Sequence, residues 1–182
     1  MKINEKLNLV IPMEDSAGQT YYLHSTPLSR EAFDANYLLL SQAFSLMVEQ
    51  GIQVTAGPRV ANLVLRDLAE RQDRMPAYDS IIAEIKRITT VIKPSASGWE
   101  PLPLSSALAR GVVTEDELSD AVSLIVFFTL TSALWSGKRL DASLNFMNGL
   151  WGTENTSLNS TAFTASLPTL TEGENSGETA AA

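Results

Sequence analysis

The chain has 182 residues, 45% of them apolar and 19% charged, which suits one globular domain with a sizeable core. Its 21 acidic against 13 basic side chains give a net charge of −8, and no Lys/Arg cluster stands out, which argues against nucleic acid as a main partner. Cysteine is absent, which removes disulfides, thiolate ligands and a Cys nucleophile and fits a reducing compartment.

The opening residues, MKINEKLNLVIP, are expected to carry no signal peptide, because Asn and Glu interrupt a run too short for an h-region. Residues 7–12 and 19–24 are short β-type runs around MEDSAGQ, where Asp15, Ser16 and Gly18 supply turn chemistry. They predict an N-terminal hairpin at about 7–24, and a lone hairpin must lean on something. In TPLSREAF, Ser29 is placed to cap a helix, with Leu28 and Phe33 as a hydrophobic staple. Phe33, Tyr37, Leu40, Phe44 and Met47 follow as one stripe, and Gly51 stops the helix. A second helix starts near Pro58 with Val60, Val64 and Leu68 on one face. Ile81, Ile85, Ile88 and Ile92 mark a third, closed by Pro94. KPSASGWEPLP then reads as a linker, with Trp99 packed onto the body, before a short helix from Leu104 that ends at Gly111.

The most apolar stretch, SLIVFFTLTSALW at 123–135, belongs to a helix that begins at TEDEL. Thr114 and Glu117 form a capping box there, Val113 and Leu118 a staple, and the first-turn acids favour the macrodipole. Its apolar part, 121–135, spans about 22 Å at helical rise, short of the ~20 residues a bilayer needs, and includes several Ser and Thr. It is expected to be a buried central helix with other helices around it and no membrane partner. Leu140, Leu144, Met147 and Trp151 predict another amphipathic helix, and NSTAFTASL a short one anchored by Phe163 and Leu167. From residue 169 onward the chain has three Glu, no basic residue and no apolar period, the pattern of a disordered acidic tail. The glycosylation sequons at Asn155 and Asn159 are chance matches without a secretory signal.

No chemistry is spelled out. The one histidine, His24, stands before STP at a strand end with no nucleophile elbow, so a capping or surface role is expected. EDELSD at 115–120 lacks the alternating donors and central Gly of a calcium loop. One His without Cys leaves zinc only carboxylates, and SGK at 136–138 has no phosphate-binding Gly ahead of it. No catalytic, metal or cofactor residues are assigned, and an enzyme is not expected.

Four passages together, NLVIP…YYLHSTPLSREAF, GPRVANLVLRDLA, LPLSSALARGVVTEDEL…LIVFFTLTSALW and LWGTENTSLNSTAFTASLPT, resemble tail assembly chaperones encoded among the tail genes of long-tailed bacteriophages. The resemblance spans most of residues 5–170. It implies a mostly helical, non-enzymatic protein of the host cytoplasm that binds the tape measure protein and tail tube subunits and is absent from the finished virion. It also implies a longer frameshifted product. Phe163, Leu167 and Leu170, with the hairpin, are the least anchored apolar elements and the candidate partner-binding residues. The alternatives are a structural virion protein (a tail completion or connector component) and a small helical adaptor for a host protein. Homo-oligomerisation stays open, because an apolar helix of this kind serves a dimer as readily as a monomer. The expected architecture is therefore mainly α: a single helical domain over 1–168 around a buried central helix, with an N-terminal β-hairpin and a disordered tail at 169–182.

Overall fold

The computed structural model describes residues 7–52 and 56–169; Leu170 and the tail from 170 on lie outside them. β1 (Asn8–Glu14) and β2 (Thr20–Ser25) form the expected hairpin. Its turn is held by Asp15, whose carboxylate accepts the N–H groups of Ala17 and Gln19 at 2.9 Å each. α1 (Arg30–Glu49) starts at the Ser29 cap, whose hydroxyl accepts from Ala32 N at 3.1 Å. It ends at Gly51, in the left-handed region at φ 67°. α2 (Gly57–Arg71) and α3 (Met75–Ile88) follow, each with proline in its first turn.

The chain then departs from the helical expectation. Residues read as the end of a helix and a linker are two strands, β3 (Thr89–Ser95) and β4 (Gly98–Pro103), joined by a tight turn. Ile92 continues the i, i+4 isoleucine spacing only by coincidence, since the β-branched run Thr89-Thr90-Val91-Ile92 favours a pleated surface. α4 (Leu104–Ala109), α5 (Glu115–Leu134), α6 (Lys138–Trp151), β5 (Glu154–Thr156) and α7 (Ser160–Ser166) complete the order. The strands make one antiparallel sheet in the order β4-β3-β2-β1-β5. The fold is α+β, seven helices with a five-stranded sheet among the described residues, and not a helical domain carrying only a hairpin.

α5 is the central strut. Its capping box is formed, with Thr114 N donating to Glu117 Oε2 at 2.7 Å and Glu117 N to Thr114 Oγ1 at 3.3 Å. By length and composition it could cross a membrane, yet 61% of its apolar window is buried inside this molecule. Ala121 and residues 123–131 are all buried, packed among α1, α2, α6 and β1. Thr131 tolerates that burial by donating its hydroxyl to the Phe127 and Phe128 carbonyls at 2.9 and 3.1 Å. α2 lies close against it: a Cβ on Gly57 would stand 2.6 Å from the Phe127 ring.

The predicted α2 stripe is rotated by one position, while the α1 stripe holds at Leu40 and Met47, with Phe33 and Phe44 packed beside them, and fails at Tyr37. α1 buries Asn36, Leu39, Leu40, Ala43 and Met47, while Tyr37 is 54% exposed. α2 buries Ala61, Leu65 and Ala69, with Val64 and Leu68 half-buried beside them.

Candidate partner-binding site: the outer face of the sheet

Strand alternation gives the sheet two faces. Leu9, Ile11, Tyr21, Leu23, Val91 and Leu102 point into the main core with the helices. The registers Val10↔His24↔Thr90↔Pro103 and Pro12↔Tyr22↔Ile92↔Pro101 put the alternate residues on the other side. There Val10 and Ile92 form a second, smaller cluster with Phe163, and Tyr22, Trp99 and Leu167 pack around it. The main helical layer lies on the opposite side, and α7 is the helix that covers this face, over β3 and β4.

Phe163 is the plug of that cover. Only 8% of it is exposed, and its ring meets Tyr22 edge-on at 5.8 Å and His24 at 5.9 Å. Trp99 stands 5.5 Å from Tyr22 and donates its indole N–H to the Pro168 carbonyl at 2.9 Å, pinning the chain just past the helix. Before the helix, the Leu158 carbonyl accepts from Asn8 Nδ2 at 2.8 Å and faces His24 Nε2 at 2.9 Å. Because a carbonyl only accepts, Nε2 carries the proton in that pair. Within the segment, Asn159 caps α7 by accepting from Ala162 N at 2.9 Å. Three side chains from three strands thus grip the main chain on both flanks of a seven-residue helix.

His24 is neither a surface nor a capping residue. It is 1% exposed, and burial pushes its imidazole below the ordinary value of 6.5. Its position before STP gave no sign of this; the neighbouring pattern did. A hairpin whose β1 reads Leu-Val-Ile without alternation is apolar on both faces and must be covered on both.

The structure brings Phe163 and Leu167 together in one cluster, while Leu170 lies outside the described residues. Both are packed against the protein's own sheet. Of the receiving surface, Val10 and Tyr22 belong to the hairpin expected to meet partners, whereas Ile92 and Trp99 were not assigned from the sequence, because they come from strands read as helix and linker. Elsewhere, open grooves of 430 Å³ and 370 Å³ run beside α1, and neither is lined by His24. Among the described residues no group of three or more His, Cys, Asp or Glu is placed to hold a metal. No family model, no curated protein and no solved structure matches the chain at a significant level.

Proposed function

We propose that the protein is a non-enzymatic tail assembly chaperone of a long-tailed bacteriophage, binding the tape measure protein, the tail tube protein or both in the host cytoplasm. Four passages of the sequence support the reading by their resemblance to that family. The structural observation that carries it is the outer sheet face, an apolar surface closed by one short helix near the C-terminal end.

A chaperone for assembly needs apolar surface that is protected until a client arrives. Seven residues are too few for a stable isolated helix in water, where about 12–15 are needed. α7 therefore depends on the Phe163 plug and on the hydrogen bonds from Asn8, His24 and Trp99. Elements held this way open locally at free energies well below that of global unfolding. The face is then exposed for a small fraction of the time without loss of the helical core.

The experiment is co-expression with the tape measure protein from the same tail-gene cluster, followed by affinity capture of the complex. Mass spectrometry of purified virions completes it. A chaperone is captured with the tape measure and is missing from the particles. Recovery in stoichiometric amounts from particles makes it a structural component instead.

A further inference from the structure

We propose that the α7 segment, residues 157–169, is an intramolecular stand-in for the client: the outer sheet face accepts, in its place, a short amphipathic helix of the partner bearing an aromatic residue and, four positions later, an aliphatic one. The inference rests on the chaperone reading and names the chemistry of the partner at that site.

Three features of the contact define what fits. First, the polar anchors read main chain only. Asn8 and His24 meet the Leu158 carbonyl, and Trp99 donates to the Pro168 carbonyl. Any chain presenting two carbonyls at that separation satisfies them, so these contacts set position and leave sequence free. Second, side-chain selection falls on one hole, ringed by Val10, Tyr22, His24 and Ile92 and filled by the Phe163 ring. An aromatic ring fills it edge-on to Tyr22; Leu167, one helical turn on, covers the rest.

Third, the face is the place for a client, because the neighbouring edge is closed. β4 is the outermost strand on that side, and Pro101 and Pro103 within it have no N–H to donate. Addition of a partner strand there is blocked, as natural sheet edges often are. A partner reaching this side docks across the strands, as α7 does.

Phe163 thus has a defined sign of effect. If it is a plug, its loss frees the face and strengthens client binding; if it is itself a partner contact, its loss weakens binding. The probes are the full chain, its F163A variant, the tape measure protein and a synthetic peptide of residues 157–169 with blocked ends. Apparent affinity scales with the fraction of protein whose face is open, so F163A is expected to capture the tape measure ~10-fold or more tightly than the natural chain. The peptide is expected to bind F163A at least ~10-fold more tightly than the natural chain, whose own segment competes. Its Phe→Ala version should not bind, and excess peptide should displace the tape measure.

Circular dichroism first confirms that F163A is folded; should it not be, F163L, which underfills the hole, takes its place. Weaker or unchanged tape measure capture by the variant overturns the proposal. So does a peptide that binds the variant and the natural chain equally, since it then sits elsewhere. If no form captures the tape measure, the chaperone reading fails, and the peptide titration alone decides whether the face exchanges its helix.

Discussion

Gly57→Ala tests the packing that makes α5 a strut. The added Cβ would lie 2.6 Å from Phe127 Cε2, 3.0 Å from Cδ2 and 3.2 Å from the Ile52 carbonyl oxygen. Ordinary carbon contacts are about 3.5–4.0 Å, so the ring has to move by about 1 Å. It has nowhere to go, because Phe127 is 1% exposed and its helical neighbours are equally buried. The backbone is pinned as well, with Ile52 O accepting from both Ala56 N and Gly57 N. Overpacking of this kind costs about 1–3 kcal/mol. Against it, Gly→Ala restricts the unfolded chain and stabilises by about 0.4–1 kcal/mol. The midpoints of the two ranges leave a net loss of about 1.3 kcal/mol (extremes about 0 and 2.6), and at ~2–4 °C per kcal/mol for a domain of this size the melting midpoint falls by about 3–5 °C. Thermal melts followed by circular dichroism measure it. Phe127→Leu removes the clashing ring atoms, so in that background the same substitution is less costly, with a coupling of about 1 kcal/mol in the double-mutant cycle. A melting midpoint that rises in the Gly57→Ala single variant, or a double-mutant cycle with no coupling to Phe127→Leu, would refute the close approach of α2 and α5.

Phe163→Ala is expected to act locally: a core Phe→Ala change costs about 3–5 kcal/mol, but the loss here is capped by the free energy that holds α7. Hydrogen exchange should speed up at the amides of α7 and β5 while α5 stays protected; a uniform rise across α5 would show that α7 is integral to the core. Thr114→Ala removes the α5 cap and should cost about 1 kcal/mol, whereas Glu117→Gln keeps a capping box and should cost less; equal losses would count against the box. His24 has a depressed native pKa, so below 6.5 the unfolded chain binds the proton first. Its contribution is complete above pH 6.5 and is lost as the pH falls, so urea midpoints should decline from pH 7.5 to 5.5 and flatten in His24→Gln. Asp15, depressed mainly by the Gln19 N–H, acts in a separate window: its contribution is present above 3.8 and is lost only as the pH falls further. A decline between pH 7.5 and 5.5 that persists unchanged in His24→Gln would assign the effect to other groups.

What the sequence determined by itself was local. The Ser29 and Thr114 caps, the Asp15–Gly18 turn, the Gly51 and Gly111 stops and the extent of α5 are all set by residues within a few positions of one another. Even the short helix carrying Phe163 was legible from its anchors, although its Asn159 cap was read only as part of a chance sequon. Tertiary structure decided which face each helix buries and where β3, β4 and β5 pair. Ile92 fits a helix by spacing and becomes a strand residue because Tyr22 offers it a partner across the sheet. Prolines 101 and 103 argue against a strand until β4 proves to be an edge, where a missing N–H leaves no broken pair. The site depended most on this second kind of information. His24, Trp99 and the Leu158 carbonyl lie far apart along the chain, and only sheet pairing sets them beneath one helix. Caps and turns satisfy their hydrogen bonds within a few residues, so sequence encodes them openly. A strand satisfies its own on another strand, so its identity waits on the partner.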